Sequence, residues 1–169
     1  MAETAMTKQI IAVIDIGSSA IRLVVAETGS KGEIKYLENL QKPVSFGKDV
    51  FMHGRISRPV MREGIAILKN FKTVLDTYGV QNIHAIATSA IRDAVNRDAF
   101  IDQVFVRTGI DVEVLEEAEE NRLELTAVEH ALGEKYDYQK KNCVRGWPES
   151  FDYYWDVFVK MKDEIDKGF

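Results

Sequence analysis

The apolar run Ile10-Ile11-Ala12-Val13-Ile14, closing on Asp15-Ile16-Gly17-Ser18-Ser19, constrains this chain more than any other stretch. Continuous apolar residues of this length read as a strand buried on both faces. The glycine then turns the chain. Ala20 to Ala26 follows as a second strand, with Ile21, Leu23 and Val25 alternating against Arg22 and Val24. Gly29-Ser30-Lys31-Gly32 is a turn, and Glu33 to Leu40 reads as a third strand. The chain therefore opens as a meander of strands with tight connections.

Gln41 to Arg55 reads as a loop, because it carries Pro43, Gly47 and Gly54. A helix is expected from Ser57, a capping residue, to Gly79, with Met61, Gly64, Ile65, Leu68, Phe71, Leu75 and Tyr78 on one face. Asn82 to Ala87 reads as a strand. Thr88 to Ala94 turns into a helix that Asn96 is able to cap onward, and Gly109 closes it. Asp111 to Leu115 is a strand and Glu116 to Leu132 a helix. The order β-β-β-α-β-α-β-α predicts an α/β mixed sheet with flanking helices, its later strands parallel through helical crossovers.

Length and composition narrow the function classes. The chain has 169 residues, 46% hydrophobic and 29% charged, which is a globular rather than a disordered composition. A net charge of −5 argues against nucleic acid as a partner, since a phosphate backbone calls for a basic face. Cys143 is the only cysteine, so no intrachain disulfide and no Cys-x-x-Cys metal site is available. No apolar run approaches the roughly 18 residues of a membrane span. The amino terminus lacks the basic-then-apolar pattern of a secretion signal. No membrane association is expected, and a cytoplasmic location is. Composition shifts near Lys135, so 1–134 reads as the folded lobe and 135–169 as a divergent tail, helical from about 149. Phe151, Trp155, Phe158 and Met161 fall at helical spacing in that tail. Such a stripe packs on its own domain or on a partner, and a homodimer through it is one expectation.

Three segments carry residue types suited to phosphate chemistry. In Asp15-Ile16-Gly17-Ser18-Ser19 the glycine admits close backbone N–H groups, the serines add donors, and Asp15 can hold a metal or a water. A plain turn between strands also accounts for these five residues. In Thr88-Ser89-Ala90-Ile91-Arg92-Asp93-Ala94 the hydroxyls and N–H groups can bind an anion, and Arg92 can clamp phosphate through its planar fork. A capped helix with a surface ion pair fits as well. In Glu116-Glu117-Ala118-Glu119-Glu120-Asn121-Arg122-Leu123 the acids offset the helix dipole without any function. Helical phase places Glu120 beside the small residues Ala127 and Ala131 and Glu119 on the opposite side, although Glu124 also falls near the buried arc. A cleft glutamate near an arginine-bound phosphate could orient or deprotonate an attacking water.

Together these segments resemble one family. Ala12 to Leu23 is similar to the first phosphate loop of the Ppx/GppA phosphatases, Ala87 to Asn96 to the family's strand-to-helix arginine motif, and Val112 to Leu123 to its catalytic-glutamate segment. The likeness runs from about Ile10 to Leu132, the first lobe of a two-lobed core. It implies the ribonuclease-H-like lobe of actin, Hsp70 and sugar kinases. It implies hydrolysis of a terminal phosphoanhydride, on polyphosphate or on guanosine pentaphosphate. Glu120 would be the general base and Arg92 the phosphate-binding arginine. Asp15, Gly17, Ser18, Ser19, Thr88 and Ser89 would form the phosphate loops, with magnesium at Asp15.

The sequence also departs from that pattern. Ser19 stands where the family prefers asparagine, and Asn121 where it usually has alanine. Glu116 and Glu117 replace a Ser-Gly pair. Arg145 to Phe169 is expected to have no family counterpart, and the resemblance is expected to stop at the first lobe, short of the second lobe's glycine-rich loop. A lobe of this kind is expected to be weak or inactive alone. The alternatives are a non-catalytic binding, regulatory or dimerisation module that reuses the lobe, and a relative of the sugar or acetate kinases.

Overall fold

The structure is a computed structural model that describes residues 9–29 and 34–123. The chain divides into two units, Met1–Glu116 and Glu117–Phe169, the second described only over 117–123. Residues 30–32 of the turn expected at Gly29 to Gly32, and residue 33 at the expected start of the third strand, lie outside the described residues. So do the boundary expected near 134 and the aromatic stripe of the tail.

In the first unit β1 (Gln9–Ile16), β2 (Ala20–Thr28), β3 (Ile34–Pro43), β4 (Asn82–Ala87) and β5 (Val112–Val114) form one sheet in the order β3-β2-β1-β4-β5. The pairs β1–β2 and β2–β3 are antiparallel, while β1–β4 and β4–β5 are parallel. This is the mixed sheet expected of a ribonuclease-H-like lobe. β1 lies at its centre, and Ile11, Ala12, Val13 and Ile14 are all buried, as a continuous apolar run requires.

Four helices join the strands: α1 (Phe46–His53), α2 (Arg58–Tyr78), α3 (Ser89–Arg92) and α4 (Arg97–Thr108). α2 buries Met61, Ile65, Leu68, Phe71 and Leu75 in the same core as Ala12, Ile14, Ile21, Leu23 and Val25 of the sheet. Gly79 ends α2 and Gly109 ends α4, both in the left-handed conformation that a Cβ disfavours. Residues 117–123 are helical, as expected of the start of the Glu116 to Leu132 helix, whose remainder lies outside the described residues.

The stretch 41–55 differs from its expectation as a loop. Gln41 and Lys42 continue β3 against Arg22 and Ile21, with Pro43 tolerated because β3 is an edge strand. Phe46–His53 is a helix, anchored by Phe46 and Val50 and ended by Gly54 at φ 66°. Glycine and proline pointed to a loop, but Pro43 precedes the helix and Gly54 caps it. Only Gly47 lies inside.

Two capping expectations also change. Ser57 precedes α2 but makes no side-chain cap, and instead its N–H donates to the Asp49 carboxylate. Asn96 precedes α4, yet its side chain spans to α1's exit, with Oδ1 accepting from the Ile56 N–H and Nδ2 donating to the Ile56 carbonyl, each at 2.9 Å. Burial would raise the Asp49 pKa, but the Ser57 hydrogen bonds and the nearby His53 outweigh it and hold the carboxyl below its ordinary 3.8. A depressed folded pKa adds stability above the unfolded value and loses it as pH falls through the folded one. Asp49→Asn is therefore expected to destabilise the chain modestly at pH 7 and much less near pH 3, read as paired urea midpoints. A penalty equal at both pH values would contradict the carboxylate's role.

Candidate phosphate site at the sheet edge

Because β1, β4 and β5 are parallel, their carboxyl ends reach one edge of the sheet. Ligand crevices of open α/β sheets form at that edge. The ladder continues one step past each strand end. The Thr88 N–H donates to the Ile16 carbonyl at 3.3 Å, and the Leu115 N–H donates to the Ala87 carbonyl at 3.0 Å. The turn after β1, the start of α3 and the exit of β5 are thereby fixed side by side.

The turn after β1 carries an ion pair. Asp15 lies opposite Arg22 in the β1–β2 register, and Arg22 Nη1 donates to Asp15 Oδ2 at 3.1 Å. Directly opposite residues share a face of the sheet. Both side chains are partly buried, 15% and 22% exposed, so their charges are screened less than surface charges. Gly17 closes the turn, its N–H donating to the Ala20 carbonyl at 3.0 Å. A Cβ on Gly17 would lie 3.2 Å from that carbonyl oxygen and 3.8 Å from Arg22 Nη1, so glycine keeps this corner open. The turn is tied from β3's exit by Val44 N–H to Ser19 carbonyl at 3.0 Å and by Gly47 N–H to Ser18 carbonyl at 2.8 Å.

Across from it, Thr88 stands in extended conformation before α3 and makes no side-chain cap. The Ser18 and Ser89 hydroxyl oxygens are 3.3 Å apart, joining two segments that are 71 residues apart in sequence. Arg92 ends α3, and its Nη1 donates to the Leu115 carbonyl at 2.7 Å. Its Nε lies 3.9 Å from Asp93 Oδ1, and its own carbonyl accepts from Arg97 Nη1 at 3.3 Å. A guanidinium carries five donors, so holding Leu115 and contacting an anion are compatible.

Asp15, Gly17, Ser18, Ser19, Thr88, Ser89 and Arg92 thus all belong to one sheet edge. Arg22 belongs there too, a residue inside the stretch that resembles the first phosphate loop but otherwise read only as the polar member of an alternating strand. The signal that finds it is the antiparallel register, which pairs it with Asp15. Glu120 lies in the second unit. There Arg122 grips Glu119 through two bonds, Nε to Oε2 at 2.8 Å and Nη2 to Oε1 at 2.7 Å. That hydrogen bonding holds the Glu119 carboxyl below its ordinary range. Glu119 is committed to Arg122 within its own helical turn.

The model of the Ppx/GppA phosphatase family matches residues 23–138. The chain belongs to the Ppx/GppA phosphatase family. Among curated relatives, a bifunctional 3-dehydroquinate synthase/phosphatase of Fusobacterium nucleatum is 33% identical over 105 residues, covering 59% of this chain and 16% of the relative. Exopolyphosphatase 1 of Mycobacterium bovis is 26% identical over 121 residues, 72% of this chain and 35% of the relative. Among solved structures, the Aquifex aeolicus member of the Ppx/GppA family superposes with a TM-score of 0.68 at 32% identity, over 75% of this chain and 41% of that one. The chain spans less than half the length of each of these relatives. No helix among the described residues is long and apolar enough to cross a membrane.

Proposed function

We propose that this chain is the phosphate-gripping lobe of a Ppx/GppA phosphohydrolase acting on terminal phosphoanhydride bonds, on polyphosphate or guanosine pentaphosphate. The observation that carries the reading is the meeting of Ser18 and Ser89 at 3.3 Å, at the edge where Arg22 pairs with Asp15 and Arg92 holds the Leu115 carbonyl. Hydroxyls and planar guanidinium groups are the donors a phosphoryl group needs. Such transfer depends on positioning and on charge stabilisation rather than on covalent chemistry by the protein.

The role of general base is assigned to Glu120 on the match of its segment to the family motif. Glu120 would take a proton from water as the water oxygen bonds to the terminal phosphorus and the bridging P–O bond breaks toward the shortened chain. The donor set is compatible with magnesium. Asp15 offers a hard carboxylate oxygen at the end of β1, and magnesium is commonly held by one or two carboxylates together with substrate phosphates and water. Among the described residues no group of three or more His, Cys, Asp or Glu gathers, which suits an ion that arrives with its substrate. When bound, the ion would neutralise phosphate charge. The lone Cys143 suits a reducing, cytoplasmic setting.

The test is calorimetric titration of the chain with inorganic tripolyphosphate and magnesium, paired with a phosphate-release assay. Binding is expected in the wild type and in Glu120→Gln, with loss in Arg92→Ala. Phosphate release is expected to fall by roughly 10²-fold or more in Glu120→Gln. Wild-type affinity in Arg92→Ala would overturn the site. Binding without any Glu120-dependent release would favour the non-catalytic reading, in which Glu116 and Glu117 keep the edge too acidic for turnover.

A further inference from the structure

We infer that Gly47 is a positioning residue for the Ser18–Ser19 turn, holding the site's hydroxyl and N–H groups in register from outside the phosphate loops. The inference rests on the site proposed above. Gly47 donates its N–H to the Ser18 carbonyl at 2.8 Å. A Cβ built on Gly47 would lie 2.9 Å from Ser18 Cβ and 3.3 Å from the Ser18 carbonyl oxygen. Neither is the far end of a flexible side chain, so a larger residue must push the turn's backbone. Gly47 does not have the positive φ of Gly54, Gly79 and Gly109, so contact and not backbone conformation requires glycine here.

Gly47 cannot retreat in the other direction. Its neighbour Phe46 is fully buried, stacked edge-on to Phe100 with ring centroids 5.2 Å apart. The same ring presses on Gly64 of α2, where a Cβ would come within 2.5 Å of Phe46 Cζ. The contact chain Gly64, Phe46, Gly47, Ser18 thus runs from the core to the turn, and Ser18 in turn meets Ser89. Close-packed interiors transmit such displacements rather than absorb them.

The experiment is a set of amide spectra and tripolyphosphate titrations on the wild type, Gly47→Ala, Ser18→Gly and the double variant. Without ligand, Gly47→Ala is expected to move the Ser18, Ser19 and Ser89 amides and to leave those of β5 in place. Its affinity is expected to fall roughly tenfold, as displaced contact groups lose alignment. Ser18→Gly removes the Cβ that Gly47→Ala would strike. In that background the added cost of Gly47→Ala is expected to shrink to about twofold or less, the non-additivity of contacting residues. Ile110→Val, a core change remote from the turn, is expected to lower stability without altering affinity. Unmoved turn amides, or additive losses in the double variant, overturn the inference while the site stands. No binding by the wild type overturns the site and this inference with it.

Discussion

Phe46→Ala is expected to cost the chain about 3–5 kcal/mol of folding stability, the range for truncating a buried aromatic residue. Phe46 is among the largest side chains with no solvent exposure, and it joins three elements: α1 through its own backbone, α4 through Phe100 and α2 through Gly64. Eight residues are too few for a helix to persist alone in water. The other buried anchor of α1 is Val50, so loss of Phe46 should also release the helix from the core. Urea unfolding reads the global cost. Amide exchange reads the local one, since the Gly54 N–H that donates to the Val50 carbonyl should lose protection before the strands do. A cost below about 1 kcal/mol, outside the range for burying an aromatic ring, would show that the core collapses around the gap and that α1 is held by something else.

Asp15→Asn is expected to change tripolyphosphate binding in opposite directions with and without magnesium. Without the metal, the Asp15 carboxylate opposes an anion arriving beside Arg22, and its removal leaves the guanidinium charge uncompensated by that partner. Unit charges about 4 Å apart interact by roughly 1 kcal/mol in water and about 4 kcal/mol at the effective dielectric of a protein surface. Metal-free affinity should therefore rise at least several-fold. With magnesium, the same change removes the carboxylate proposed to hold the ion, and affinity should fall below that of the wild type. Calorimetry with magnesium and with a chelator separates the two signs. A loss of affinity under both conditions would make Asp15 a purely structural partner of Arg22, and a gain under both would remove it from any metal role.

Much of this arrangement was legible in local sequence. The run Ile10 to Ile14, the breaker at Gly17, the face of α2 from Met61 to Leu75 and the ends at Gly79 and Gly109 are short-range patterns, and short-range sterics and solvation decide them. The stretch from Gln41 to Arg55 misled because glycine and proline signal breaks without telling a helix's flank from its interior. Gly47 lies inside α1 where ordinary propensity disfavours it, and its reason is the Ser18 turn, which is distant in sequence. Asn96 and Ser57 are good caps by type, yet both are spent on the α1–α2 connection. Competing hydrogen-bond partners of that kind exist only once the chain has folded.

Order and chemistry of the segments, an aspartate turn, a hydroxyl pair with an arginine, and a glutamate-rich helix start, are written in the chain itself, because each depends on neighbours a few residues away. The meeting of the first two is not. The parallel pairing of β1 with β4 and β4 with β5 brings the first two segments and the exit toward the third to one edge. The antiparallel β1–β2 register sets Arg22 against Asp15. Pairing and register are won by burying the sheet's faces as a whole, a cooperative balance that no single stretch of sequence contains.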